Sequence, residues 1–142
     1  MRFNTRVRYG LRTMIELACC QETGEPQYQK DIAQKQEISN KYLDQIITAL
    51  KTAGLIVNAG GKKSGYILTK KPEKINVYDI FKAFEPELSI VDCLSDNMEC
   101  SRNKICAAQE FWQGLNQTMV EYMQFYTLKE LAEKQQDKLN SV

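Results

Sequence analysis

The stretch Ser39–Gly54, SNKYLDQIITALKTAG, is the part of the sequence that decides the fold. Its large apolar residues recur at the three- and four-residue spacing of one helical face: Leu43, Ile46, Ile47 and Leu50. Ser39 offers a hydroxyl for the N-cap, and Gly54 stands where a glycine commonly ends a helix. The stretch therefore predicts an amphipathic helix from Asn40 to Ala53.

The opposite face of this helix is polar, with side chains that can bond base edges or phosphate groups. A solvent-exposed helix face has a similar composition, so these residue types alone do not establish DNA binding. The candidate DNA-contacting residues here are Ser39, Lys41, Tyr42, Asp44, Gln45 and Thr48.

Two helices are predicted before this one. Residues 4–20 carry apolar side chains on one face, and Gly24-Glu25-Pro26 interrupts the pattern. A short helix follows over Lys30–Gln36. A short helix, a tight polar turn and a longer capped helix form a helix-turn-helix.

A β-hairpin is predicted directly after the helix-turn-helix. The apolar runs Leu55–Val57 and Tyr66–Leu68 flank a segment with three glycines, and Lys62 and Lys63 lie at its tip. Lysines at a hairpin tip often serve only solubility. Their position after the polar helix instead favours contact of Lys62 and Lys63 with the DNA backbone or minor groove.

The second half of the chain is expected to be helical. Asn76 can cap a fourth helix, and a polar loop runs to about Ile105. Apolar and aromatic residues then recur in steps of four and three along a seam: Ala108, Trp112, Leu115, Met119, Tyr122 and Tyr126. This seam predicts a helix that pairs with a second copy, giving a two-fold dimer suited to a palindromic operator. Thr127 can cap a short last helix, with a frayed tail from Gln135.

The fold class predicted from these elements is mainly α: a winged helix-turn-helix joined to a long C-terminal dimerisation helix. We divide the chain into a DNA-binding part, residues 1–71, and a part with the cysteine loop and dimerisation helix, residues 72–142, within one compact chain. Residues 1–71 hold 12 Lys and Arg against 6 Asp and Glu, whereas residues 72–142 hold 7 against 12. This asymmetry modestly favours a polyanion as the partner of the first part.

Composition excludes several classes of protein. The chain has no histidine, which removes Ser/His and Cys/His catalysis. It also lacks a phosphate-binding loop and a dinucleotide fingerprint, so we expect no enzyme. No apolar run approaches the roughly 20 residues that span a bilayer, and the N-terminus lacks the apolar core of a signal peptide. A cytoplasmic protein without membrane contact is expected.

Three of the five cysteines lie in the polar loop, where Cys93, Cys100 and Cys106 are spaced as C-x6-C-x5-C. Three thiolates within fourteen residues can converge on one soft metal centre. The spacing differs from the paired C-x2-C knuckles of zinc ribbons. On spacing alone a redox sensor, a zinc site and an iron–sulfur site remain open. Cys19 and Cys20 lie on the first helix, where we expect them to pack as small hydrophobic residues.

Taken in order, several short motifs resemble the Rrf2 family of winged-helix regulators over nearly the whole chain. These are Arg8-Tyr9-Gly10-Leu11-Arg12, Asp31-Ile32-Ala33, Ile38-Ser39, Tyr42-Leu43-Asp44-Gln45, Gly65-Tyr66, the three loop cysteines and Thr127-Leu128-Lys129-Glu130-Leu131. The resemblance implies a homodimeric regulator that binds a 2Fe–2S or 4Fe–4S cluster through Cys93, Cys100 and Cys106. It places the chain in the cluster-binding branch that includes IscR and NsrR, beside members that lack the cysteines and sense sulfur metabolism.

The chain departs from those members at the fourth cluster ligand and in the wing. The resemblance would place a histidine where Gln109 stands, or an aspartate where Arg8 stands. Asp92, Glu99 and Glu110 are alternative oxygen donors, and an iron open to solvent is a further alternative. In the wing, Gly60 stands where the family often has an arginine. Lys62 and Lys63 can replace its charge but not its planar fork.

We therefore expect a DNA-binding repressor whose iron–sulfur cluster senses iron or cluster supply, redox stress or nitric oxide. The alternative is a thiol- or zinc-stabilised regulator or protein-interaction module without a cluster. A thiol redox enzyme is disfavoured by the missing histidine and the missing C-x-x-C motif.

Overall fold

The computed structural model describes residues 2–21, 23–60, 65–95 and 99–142. Six α-helices and one two-stranded antiparallel sheet are found among these residues. They are α1 (Thr5–Gln21), α2 (Gln29–Gln36), α3 (Asn40–Thr52), β1 (Ile56–Asn58), β2 (Tyr66–Leu68), α4 (Val77–Lys82), α5 (Ala107–Phe125) and α6 (Leu128–Asn140). The mainly helical fold class is confirmed. None of the described helices combines the length and the apolar content needed to cross a membrane.

Helices α1 to α3 form the expected helix-turn-helix around one core. The apolar stripe of α3 is fully buried, together with Met14 of α1 and Ile32 of α2. The Ser39 Oγ accepts the Tyr42 backbone N–H at 3.2 Å and so caps α3 as the sequence predicts. Gly54 follows the helix with a φ of 76°, the left-handed conformation that glycine adopts without strain.

The wing forms as predicted, with strand β1 one residue later than its apolar run suggests. Ile56 pairs with Leu68, and Asn58 pairs with Tyr66. Gly60 adopts a φ of 115°, which only glycine takes readily. The segment 61–64, with Lys62 and Lys63, lies outside the described residues.

Helix α6 returns to the core of the N-terminal half. The Leu128 backbone N–H donates to the Ile75 carbonyl at 2.7 Å, and Leu128 and Ala132 are buried in the same cluster as Met14. Thr127 caps α6 through the Glu130 N–H, as expected. The helix continues beyond Gln135 to Asn140, so the expectation of a short helix and a frayed tail is wrong. No proline or glycine interrupts this stretch, and its docking on α1 stabilises it.

A second, smaller cluster joins α1, α4 and α5. It consists of Val7, Phe81, Leu88 and Met123. Helix α4 begins with a capping box, in which Asn76 and Asp79 each accept the other's backbone N–H. Most of α5 stands clear of this cluster, since only Met123 of its 19 residues is buried.

Candidate DNA interface and cysteine loop

The polar face of α3 is exposed as the sequence predicts. Five of the six candidate residues are exposed: Ser39 at the N-cap, and Lys41, Asp44, Gln45 and Thr48 along the helix. Because the apolar face is completely buried, the helix cannot rotate to present other residues without opening the core. The face is therefore held in one orientation toward solvent.

Two candidate hydroxyls already take part in local backbone bonds. Ser39 accepts the Tyr42 N–H as the N-cap. Thr48 donates its hydroxyl to the Asp44 carbonyl one turn earlier, at 2.8 Å. Each oxygen keeps hydrogen-bonding capacity for an outside partner, but its first role is structural.

Asp44 has a neighbour that the sequence did not point out. The amide of Gln29, the first residue of α2, donates to the Asp44 carboxylate and to the Asn40 carbonyl. The bond joins the two helices of the helix-turn-helix across their exposed side. Because the residues are 15 positions apart, no local pattern could have revealed this contact.

Tyr42 is half-buried and differs from the other candidates. Its ring meets the ring of Tyr9 edge to face, with centroids 5.9 Å apart. It also packs against the main core cluster. Tyr42 thus attaches the first turn of α3 to α1, and only its outer part faces solvent.

The base of the wing is fixed to the loop between α1 and α2. Gln27 and Tyr66 exchange two backbone hydrogen bonds of 3.1 and 2.7 Å, which adds an isolated bridge to the hairpin. Gly65 lies directly against the Gln27 backbone: a Cβ there would stand 2.6 Å from the Gln27 carbonyl carbon and oxygen. Only glycine permits this approach, which sets the direction in which the wing leaves the domain.

We expect Gly65→Ala to destabilise the protein and to displace the wing. The added methyl would overlap backbone atoms of Gln27, and overpacking of this kind costs about 1–3 kcal/mol. The measurement is thermal denaturation of the variant beside Gly114→Ala. At Gly114 a Cβ meets nothing within 4 Å, so that helix position should gain stability. A Gly65→Ala protein as stable as the wild type would show that the wing base is not held by this contact.

The three loop cysteines occupy different local environments. Cys93 is half-buried in a short 3-10 turn, Asp92–Leu94. Cys100 is exposed, and its carbonyl accepts the Asn103 N–H at 3.1 Å. Cys106 is half-buried at the N-cap of α5. The segment 96–98 between the first two lies outside the described residues.

The chemistry of these donors suits an iron–sulfur cluster, since thiolate is the ligand that such clusters prefer. The described part of the chain does not gather three His, Cys, Asp or Glu side chains around a point that a metal ion could occupy. Asp92, Glu99, Glu110 and Arg8 are exposed, so none of them is buried beside the cysteines. Bringing the three sulfur atoms to one centre would therefore require the loop to close.

The start of the loop is attached to α5 by one amide side chain. Asn116 donates to the Leu88 carbonyl and accepts the Ile90 N–H, both at 2.9 Å. The end of the loop enters α5 directly at Cys106. Both ends of the cysteine segment are thus connected to the same helix.

Cys19 and Cys20 lie apart from this loop, half-buried on α1. The Cys19 thiol donates to the Ala132 carbonyl of α6 at 3.6 Å, and Cys19 packs against the main core. Burial is the main reason that the pKa of the Cys20 thiol is raised, with Glu16 adding to it. These environments agree with a packing role.

Helix α5 presents a broad apolar face to solvent. Phe111, Tyr122 and Phe125 are 64%, 64% and 72% exposed, and Leu115 of the seam is 40% exposed. Beside this face an apolar groove of about 740 Å³ runs between α1, α4 and α5. Its lining includes Phe3, Val7, Val77, Met119 and Tyr122.

Comparison with known proteins finds similarity along nearly the whole chain. The model of the Rrf2 family, described as iron-dependent transcriptional regulators, matches residues 3–134. The Rrf2 protein of Nitratidesulfovibrio vulgaris is 36% identical over 131 residues, which are 92% of this chain and 87% of that protein.

Two solved structures share the architecture. CymR, the global cysteine regulator of B. subtilis, has a TM-score of 0.77 at 32% identity, covering 94% of this chain and 98% of its own. IscR of T. potens has a TM-score of 0.73 at 28% identity, covering 94% of this chain and 88% of its own.

Proposed function

The chain belongs to the Rrf2 family of transcriptional regulators, and on this premise we propose that it binds a palindromic DNA operator as a homodimer. As a member of this family it is a regulator and not an enzyme. The observation that carries the proposal is the exposed polar face of α3. The opposite, apolar face of this helix is fully buried, and the wing follows the helix directly in the chain. Such a helix enters the major groove while the wing follows the backbone.

Within the α3 face, Lys41 and Gln45 are the residues best suited to contact DNA. Both are exposed on the first two turns, the part of a recognition helix that meets base edges. A glutamine amide can bond adenine through two hydrogen bonds, whereas a lysine binds guanine or phosphate. Asp44 is bonded to Gln29, and a carboxylate can accept a hydrogen bond from cytosine.

Replacing Gln45 by alanine should relax base discrimination at one position of each half-site. A bidentate contact to the correct base contributes about 1–3 kcal/mol to discrimination. The measurement is binding to a duplex that the wild-type protein selects from a random library, and to single-base variants of it. Equal discrimination by Gln45→Ala and wild type would exclude Gln45 as a base-reading residue.

The double replacement Lys62→Ala/Lys63→Ala serves as the matched test of the wing. Removing two phosphate contacts from each protomer, four in the dimer, should weaken binding to all sequences alike and lower the slope of log affinity against log salt by about 3.6. If this variant and Gln45→Ala both bind every duplex as the wild type does, the DNA-binding proposal fails.

The proposed dimer rests on the apolar face of α5 and the groove next to it. Monomeric proteins rarely expose so many large apolar side chains on one face. Helix α5 carries Glu110 and Glu121 but no Lys or Arg, whereas Arg2 and Arg8 line the groove. The acidic helix of one copy therefore complements the basic edge of the groove in the other. A two-fold pair of recognition helices reads half-sites about 34 Å apart.

We propose that Cys93, Cys100 and Cys106 hold an iron–sulfur cluster, and the description of the family as iron-dependent transcriptional regulators supports this proposal. When bound, this group supplies iron that reacts with oxidants and nitric oxide. Binding of the three thiolates to one centre would link Cys93, Cys100 and Cys106 to one another between α4 and α5. Because residues 88–90 and Cys106 are both attached to α5, this link can shift the spacing of the two recognition helices. The protein would then act in the cytoplasm as a repressor whose binding to DNA depends on whether the cluster is present.

A second candidate is a regulator that uses thiols without a cluster. It is supported by the three sulfur donors, which are not gathered within the described residues, and by the structural similarity to the cysteine regulator CymR. Colour distinguishes the two candidates, since anaerobically purified cluster protein absorbs visible light and a zinc or thiol protein does not.

A further inference from the structure

Arg12 of α1 is bonded to the last residue of α2. Its terminal guanidinium nitrogen donates to the Gln36 backbone carbonyl at 2.6 Å, and its Nε donates to the Gln36 side-chain oxygen at 3.0 Å. The next residue, Glu37, has a φ of 55° and a ψ of 46°, the left-handed conformation that turns the chain toward α3. The guanidinium therefore attaches the end of α2, where the turn of the helix-turn-helix begins, to α1.

The same turn is connected back to α1 by a second route. The Gln36 amide donates to one Glu16 carboxylate oxygen at 3.0 Å, and Lys35 pairs with the other at 3.1 Å. The hydrogen bond to Glu16 is the main cause of the raised pKa of Lys35. Arg12 and Lys35 both bring positive charge to the C-terminal end of α2, where the helix dipole favours it.

Arg12 also reaches the start of α3 through two aromatic rings. Its guanidinium lies 4.9 Å from the centroid of the Tyr9 ring, a cation–π contact. Tyr9 in turn meets Tyr42 edge to face at 5.9 Å. Tyr42 lies in the first turn of α3, where its N–H bonds the Ser39 cap. One side chain thus connects the end of α2 to the beginning of the helix that faces DNA.

We propose that Arg12 is a positioning residue for DNA recognition: it fixes the angle between α2 and α3 without touching DNA. This inference rests on the proposed DNA-binding function. A lysine could keep the charge at position 12, but it lacks the planar fork that bonds both oxygens of Gln36 and stacks on Tyr9. Geometry rather than charge is then what the arginine contributes.

The test compares Arg12→Lys with wild type on a selected duplex and on a shuffled duplex of the same composition. We expect the ratio of specific to non-specific affinity to fall about tenfold, the effect of losing one charge-assisted hydrogen bond. The salt slope should stay unchanged, because a positioning residue neutralises no phosphate. Arg6→Lys is the matched control. The guanidinium carbon of Arg6 lies 5.6 Å from the centroid of the Phe84 ring, and Arg6 does not contact the turn. Its specificity ratio should equal that of the wild type.

Amide hydrogen exchange in the absence of DNA provides a readout that is independent of the proposed function. Arg12→Lys should lose protection in the turn at residues 36–39 and keep it in α5 and α6, with Arg6→Lys unchanged. An unchanged specificity ratio, or unchanged amide protection at the turn, would overturn the proposal. A lower slope of log affinity against log salt for Arg12→Met than for Arg12→Lys would also overturn it, because it would show that residue 12 contacts a phosphate group. Failure of the wild type to bind any selected duplex would instead refute the DNA-binding function while the exchange result still stands.

Discussion

Alanine at Cys93, Cys100 or Cys106 is expected to abolish the visible absorption of the anaerobically purified protein. The same substitutions should remove its near-stoichiometric iron and acid-labile sulfide. Thiolates supply the iron ligands of such clusters, and this loop offers three without a complete tetrahedral zinc set. Losing any one of them leaves too few protein ligands to retain the cluster.

Cys19→Ala and Cys20→Ala are the matched controls for this prediction. Both residues lie half-buried on α1, and the Cys19 thiol is bonded to the Ala132 carbonyl of α6. Their replacement should leave colour, iron and sulfide intact, with at most a modest loss of stability. Bleaching by Cys20→Ala would place a cluster ligand on α1 and contradict the assignment to the loop.

Cluster loss should also change operator affinity. Exposure of the wild type to air or nitric oxide should bleach the absorption and shift DNA binding in parallel, whereas the cysteine variants should already bind as the bleached protein does. If the bleached and intact forms bind the operator equally, or all three loop variants retain the cluster, the sensor model is wrong. The protein would then be a winged-helix regulator whose cysteine loop serves another purpose.

The second large effect is expected from charges placed on the seam of α5. Leu115→Glu combined with Met119→Glu would bury unpaired carboxylates in the dimer, at a cost of several kcal/mol. Light scattering should then report monomers, or the protein should unfold. Wild-type protein that is monomeric at micromolar concentration would refute the proposed dimer.

Leu115→Glu alone separates dissociation from unfolding. Leu115 is 40% exposed in the single chain, so a carboxylate there remains hydrated in a folded monomer, whereas Met119 packs against the second core cluster. Circular dichroism should show native helix content in this single variant while scattering shows the monomer mass. Gln124→Glu, on the exposed face of α5 away from the seam, is the control and should remain dimeric.

The local elements of this protein could be predicted from the sequence because their determinants lie within a few residues of one another. The apolar stripe and Ser39 cap define α3, and glycines define the hairpin between the two strands. Asn76 and Thr127 likewise begin α4 and α6 where expected. Helical periodicity and capping depend on spacings of three and four residues, which any single sequence displays.

The candidate site was predicted only as a set of residue types. That Lys41, Asp44, Gln45 and Thr48 share one exposed face follows from helical spacing, and the structure shows them there. Helical spacing does not show which of these side chains are already hydrogen-bonded within the protein. Thr48 bonds its own helix, and Asp44 bonds Gln29, because the neighbours that satisfy polar groups are chosen by packing.

Long-range contacts were decided by the tertiary structure alone. The return of α6 to the α1 core, the approach of Gly65 to Gln27 and the bonds from Arg12 to Gln36 join residues that no periodic pattern relates. Each depends on how buried faces fit together once the helices have formed, and that fit involves the shapes of many side chains at once. The sequence by itself determined a winged helix-turn-helix, a cysteine loop and an apolar seam. How α1 supports the turn and the last helix, and how Gln27 positions the wing, was determined only when these faces were packed together.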